Sequence, residues 1–207
     1  MRVHFLLLSV FSFALKGCNH EQKPLFTGSY YVDNKISHLV EKRITMSYGV
    51  PSGFIDLYLF INDSLVSNNA QYVDEGSLKN QLAIWATLDG DTANISFDHG
   101  LAKGVGFNLS LFGDTCLVTY TARSNEANYK LPFDNKWNSQ VTTNCRQFKL
   151  TLVNKPRFEK QEVIEGMIEL TSNDYHILSN NVSKKMSARL LAFFKTVPLQ
   201  ASAKDLN

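Results

Sequence analysis

The residues of this chain that could do chemistry are three cysteines, five histidines and a series of glutamates near the C-terminal end. Zinc hydrolysis needs two histidines on one helical face, as in His-Glu-x-x-His. No such motif occurs, and His4, His20, His38, His99 and His176 stand far apart. A blue-copper centre needs a cysteine with a histidine close in sequence, and neither Cys116 nor Cys145 has one. The Gly-x-Ser-x-Gly elbow of serine hydrolases is absent. Gly104-Val105-Gly106 lacks the third glycine and following helix of a phosphate cradle. Asp89-Gly90-Asp91-Thr92-Ala93-Asn94 is rich in oxygen. Calcium, however, takes about six to eight oxygens, and the segment has no distal acid at EF-hand spacing, so it reads as a hairpin tip. Glu159, Glu162, Glu165 and Glu169 offer carboxylates that could serve glycoside hydrolysis as a pair. Alternation puts Glu165 and Glu169 on the polar face of a strand, which makes them solvated surface. The expectation is a non-catalytic chain with no metal and no cofactor.

Aromatic side chains offer a different chemistry. Trp137 lies in Pro132-Phe133-Asp134-Asn135-Lys136-Trp137-Asn138, a segment of aromatic, amide and turn-forming residues. Sugar sites use such mixtures, because aromatic faces stack on the CH groups of a pyranose while amides take its hydroxyls. Trp137, Phe133 and Trp85 are therefore the candidate ligand contacts. The competing role for the loop is to cap a small core. Trp85 has the opposite parity from Leu82, Ile84 and Leu88 and should face outward or into a second layer. Turn formers flank Trp137 and resist burial, so its loop should be exposed between two strands.

Cys18 stands apart from the other two cysteines. A short basic start, Met1-Arg2-Val3-His4, precedes the apolar run Phe5 to Leu15, and Leu15-Lys16-Gly17-Cys18 follows. This is the layout of a secretory signal peptide. This run of eleven apolar and small residues is too short to cross a hydrocarbon core of ~30 Å, which takes about 20 as helix. The expected organisation is a signal peptide over 1–17, a tether over 18–27 and one domain over 28–207.

The charge balance excludes one class of partner. The chain has 21 basic and 19 acidic residues, and removing Arg2 and Lys16 leaves 19 of each. No charge run exceeds three residues. A nucleic-acid footprint needs clustered positive charge, so none is expected.

Period-two alternation, the mark of a half-buried strand, dominates from Phe54 onward. It runs through Ile55–Ile61, Leu82–Leu88, Ala93–Phe97, Val105–Leu111, Cys116–Ala122, Phe148–Leu152 and Val163–Leu170. Asp89-Gly90-Asp91 and Gly113-Asp114 supply hairpin turns. Ile36, Leu39, Val40 and Ile44 fit a helical stripe, although Ile44, Met46 and Tyr48 also alternate. The Ser183–Lys195 stretch fits a short helix or a strand near Arg189–Thr196, and the strand is preferred. About nine or ten strands with little helix predict an all-β fold, an antiparallel sandwich of immunoglobulin-like or jelly-roll-like form. A closed β-barrel is the alternative.

The Leu-x-Gly-Cys ending of the leader resembles the cleavage box of bacterial lipoproteins. That resemblance implies cleavage before Cys18 and acylation of it; several acyl chains anchor stably where one is marginal. Asn154-Lys155-Pro156-Arg157-Phe158, Glu162-Val163-Ile164-Glu165-Gly166, Ile168-Glu169-Leu170-Thr171-Ser172 and Tyr175 resemble a strand–turn–strand ending of small uncharacterised lipoproteins of Bacteroidetes-type bacteria. This implies a β-sandwich envelope protein and brings no activity. The reading is a non-catalytic lipoprotein of the bacterial cell envelope, lipid-anchored at the outer membrane. Secretion or a periplasmic location is the alternative. Its partners would be the membrane and a glycan or envelope protein. A carbohydrate-binding accessory module and an enzyme of unrecognised type are the alternative functions.

Cys116 and Cys145 remain. An oxidising envelope and an even pair favour a disulfide, worth about 3–4 kcal/mol on the chain-entropy model. Parity opposes it, since Cys116 shares the core face of Val118 and Tyr120 while Cys145 shares the polar face of Gln147 and Lys149. A bulge near Asn144-Cys145 would reset that parity, so both outcomes stand open.

Overall fold

The computed structural model describes residues 27–44, 49–50, 53–68, 82–99 and 104–200. The predicted signal peptide, Cys18, the tether up to Phe26, and the Met46 and Tyr48 positions lie outside the described residues. β1 (Thr27–Ser29) and β2 (Tyr31–Val32) lead through a 3-10 turn (Asn34–Ile36) into α1 (Ser37–Ile44). Next come β3 (Gly49–Val50), β4 (Gly53–Ile61) and β5 (Ser64–Asn68), then β6 (Leu82–Asp89), β7 (Thr92–His99), β8 (Gly104–Phe112) and β9 (Thr115–Arg123). The rest comprises β10 (Tyr129–Lys130), β11 (Gln140–Leu152), β12 (Ile164–Ser172), β13 (Tyr175–Ser179), β14 (Val182–Met186), β15 (Ala188–Thr196) and β16 (Leu199–Gln200). The fold is all-β and mostly antiparallel, as predicted.

The long strands form one sheet in the order β16-β6-β7-β8-β9-β11-β12-β15-β4-β3, and β10-β13-β14 form a small second sheet. The large sheet curls over on itself. Phe97 of β7 meets Phe194 of β15 edge-on, ring centroids 5.4 Å apart, although five strand-to-strand steps separate β7 from β15. The two arms therefore face each other as the layers of a sandwich. β6 comes close to β3, β4 and β15, but among the described residues no ladder joins β6 to β3 or β4. Among the described residues the large sheet is therefore not closed into the barrel of the alternative reading. Alternation has its expected meaning: Ile55, Leu57, Leu59, Ile84, Ile95, Leu109, Val118, Ile168 and Leu190 all sit in the core.

β11 turns the corner between the layers. Its first half pairs with β9 (Val141 opposite Ala122) and its second half with β12 (Leu150 opposite Ile168). The register shifts between Cys145 and Gln147. That bulge leaves Arg146 and Gln147 both exposed and bends the strand. The N-terminal segment enters where β9 and β11 diverge. β1 pairs with β9 (Gly28 opposite Cys116), and β2 runs parallel to β11 (Tyr31 opposite Thr151). Glycine suits position 28, because a Cβ there would overlap the Phe148 ring and that side chain would have to shift. Tyr30 turns inward and donates its hydroxyl hydrogen to the Gly113 carbonyl at 2.6 Å.

α1 covers the outside of one layer. Ile36, Val40 and Ile44 pack on Val153, Met167, Leu191 and Phe193, and the Asp33 carboxylate accepts from the Lys35 amide at 3.0 Å before it, as an N-cap does. The helical reading of this stripe holds, except that Leu39 is 40 % exposed.

Candidate functional site

The small sheet brings together the aromatic loop and a row of basic residues. Across β10, β13 and β14, Lys130 lies opposite His176 and His176 opposite Lys185. Paired residues of antiparallel strands project to one side. The neighbouring pair Tyr175 and Met186 belongs to the core. Alternation therefore turns Lys130, His176 and Lys185 outward. Lys185 is exposed, while Lys130 and His176 are half-buried. Lys184 and Lys136 are exposed nearby in sequence. The acid on this side is Asp174, which pairs with Lys185 at 2.8 Å and with Arg146 at 3.3 Å. His176 Nδ1 lies 3.1 Å from the Ser183 hydroxyl.

Trp137 stands at one end of that row. The Lys130 ammonium rests 4.9 Å from its ring centroid, a cation–π distance. The loop carrying Trp137 closes on itself: Tyr129 and Asn138 exchange backbone hydrogen bonds of 2.9 and 2.7 Å. Within it, the Asp134 amide donates to the Leu131 carbonyl at 3.1 Å. Phe133 at its tip is 64 % exposed, and Trp137 is half-buried. The turn formers flanking Trp137 thus hold it on a loop between β10 and β11, as predicted, with part of its surface covered.

Three tyrosines seat the small sheet on the large one. Tyr120 of β9 and Tyr175 of β13 join hydroxyls at 2.9 Å, and the Tyr129 ring lies 6.1 Å from that of Tyr175. Burial pushes the Tyr120 phenol well up and the Tyr175 phenol up to about 12. Both are neutral hydrogen-bonding anchors.

The remaining sequence candidates lie elsewhere. Trp85 faces outward at 49 % exposure, as its parity requires, but sits on β6 opposite Ser96 of β7, away from the β10–β11 loop. Glu165 is not the solvated residue expected. Its side chain is 11 % exposed and pairs with Lys195 at 3.1 Å, on the strand face that α1 approaches. Glu169 is half-exposed and pairs with Arg189 at 3.5 Å. Four residues apart on one strand, the two stand about 13 Å apart, beyond the ~5–9.5 Å between glycosidase carboxylates. Glu162 accepts from the Arg157 amide at 2.9 Å through both oxygens and thereby closes the turn ahead of β12.

Cys116 and Cys145 are both buried free thiols. The polar-face reading of Cys145 is corrected: it is 1 % exposed, because the bulge after it resets the strand's parity. Burial pushes the Cys116 thiol up to about 11 and that of Cys145 up to about 12, the opposite of an activated nucleophile.

The row Lys130–His176–Lys185 was not legible from the chain. A clue was the pair Asn180-Asn181, both at positive φ between β13 and β14, which forms a two-residue hairpin turn. Comparison with protein-family models, curated proteins and solved structures found no match to this chain.

Proposed function

We propose that this protein is a non-catalytic lipoprotein of the bacterial cell envelope that binds an acidic carbohydrate on its small sheet. The observation that carries the reading is the Lys130–Trp137 pair at the end of the Lys130–His176–Lys185 row. Its ammonium and indole lie 4.9 Å apart, so one acidic sugar residue can meet both. The indole stacks on the sugar's CH face, and Lys130, His176 and Lys185 take carboxylate, sulfate or phosphate groups along the chain. The inert burial of both thiols and the wide Glu165–Glu169 spacing favour binding over catalysis. The apolar leader and Cys18 support the anchor: acyl chains on Cys18 hold the domain at the outer membrane.

The test uses Trp137 as its own reporter in a Trp85→Phe background. Titration with a uronate-bearing or sulfated polysaccharide should shift its emission, and the neutral counterpart should not. Trp137→Ala and Lys130→Ala should each weaken binding, measured calorimetrically, at least tenfold, about 1.4 kcal/mol. Equal affinity for neutral and acidic chains, or no loss in either variant, overturns the reading. For the anchor, wild type should partition into detergent with an acylated mature mass, and Cys18→Ser should not.

A further inference from the structure

A second surface lies where the tether joins the fold. Residues 31–35 are all exposed, including Tyr31 at 65 % and Val32 at 50 %. With Lys35 and Lys149 these two line an open groove of about 820 Å³. The face continues along the helix. Ile36, Val40 and Ile44 pack inward, so the i, i+3, i+4, i+7 stripe of Lys35, His38, Leu39 and Lys42 falls on the opposite side. All four are exposed. Large apolar side chains interleaved with lysines are what an anionic lipid surface selects. Tyrosine sits at headgroup depth, and lysine stems lie along apolar surface while their ammonium groups reach phosphates. Asp33 also lines the groove and caps the following turn through the Lys35 amide, and Lys35, Lys42 and Lys149 outnumber it on this face.

Chain length names the occupant. Nine residues, Cys18 to Phe26, precede β1, and fully extended they span at most about 30 Å. β1 and β2 are built into the sheet, so an anchor at Cys18 keeps this face near the bilayer. The geometry points to the face formed by Tyr31, Val32, Lys35, Leu39, Lys42 and Lys149 as a docking surface for anionic lipid headgroups. The inference rests on the anchoring reading above. Docking would orient the domain on the membrane and fix which way the small sheet faces.

The full-length chain is reconstituted into vesicles of phosphatidylcholine with phosphatidylglycerol. Cys116 and Cys145 are buried and acylation blocks the Cys18 thiol, so in the acylated chain a single added cysteine at Lys35→Cys, Lys149→Cys or Ser183→Cys can carry an environment-sensitive nitrobenzoxadiazole label. Ser183 is exposed on β14 and serves as the distant control. The labels at 35 and 149 should be quenched by nitroxide lipids and be reduced by aqueous dithionite at least fivefold more slowly than the label at 183. Pure phosphatidylcholine should abolish that difference. Equal reduction at all three positions on vesicles that float with the protein overturns the docking surface alone, and is the outcome expected if the face serves a protein or a second copy. A wild-type chain that neither floats nor carries acyl groups overturns the anchor, and the docking surface with it.

Discussion

The hydroxyls of Tyr120 and Tyr175 meet 2.9 Å apart in the core, and through them the small sheet that carries the Lys130–His176–Lys185 row is fastened to the large one. Their rings pack tilted, 5.3 Å between centroids. Tyr175→Phe leaves the buried Tyr120 hydroxyl without this partner and should cost about 1–3 kcal/mol in denaturant unfolding. Tyr175→Ala adds a cavity and should cost about 3–5 kcal/mol. Loss of protection in hydrogen exchange should begin in β13 and β14.

The buried thiols make stability fall at alkaline pH. Both thiols ionise in the unfolded chain near 9.0, but burial pushes them up to about 11 for Cys116 and about 12 for Cys145 in the folded protein. Above pH 9 the unfolded state binds fewer protons, so unfolding becomes easier as pH rises. The contribution is fully present below pH 9 and is lost towards pH 11–12. Each thiol should steepen the slope by up to about 1.4 kcal/mol per pH unit within that window. Chemical denaturation at pH 8, 9 and 10 measures it, and Cys116→Ala with Cys145→Ala should flatten the curve. At pH 8 a thiol reagent should modify both cysteines only after unfolding.

Gly28→Ala tests the seat of the N-terminal segment. The added methyl overlaps the Phe148 ring, and overpacking of this kind costs about 1–3 kcal/mol. A second variant, Gly28→Ala with Phe148→Leu, should recover part of the loss if the clash is its cause. Thermal unfolding of both forms decides.

Asp56 responds to pH through the helix. Burial raises its carboxyl pKa, and Arg43, with Nη1 at 3.9 Å, lowers it in part. A raised folded-state pKa means that folding favours the neutral acid, so this group costs stability as pH rises from the unfolded value of 3.8 upward. Arg43→Met keeps side-chain bulk over Phe193, on which Arg43 stacks at 5.4 Å, and removes the charge. The pKa of Asp56, followed by carbonyl NMR, should rise further, and the variant's deficit against wild type should grow between pH 4 and 7.

The sequence by itself determined which residues face inward along a regular strand. Ile55, Ile95, Leu109, Val118 and Ile168 are buried because their alternation is a local property of the extended chain. The Gly90 and Gly113 turns were legible for the same reason, since positive φ at those positions favours glycine. Tertiary structure alone decided whatever depends on register and on long-range packing. A bulge of one residue moved Cys145 into the core, helix docking drew Glu165 out of solvent, and strand pairing across 55 residues aligned Lys130 with Lys185. Alternation fixes relative parity only within an unbroken strand. A parity shift, a covering helix or a cross-strand row arises from contacts between segments distant in the chain, and no local spacing encodes them.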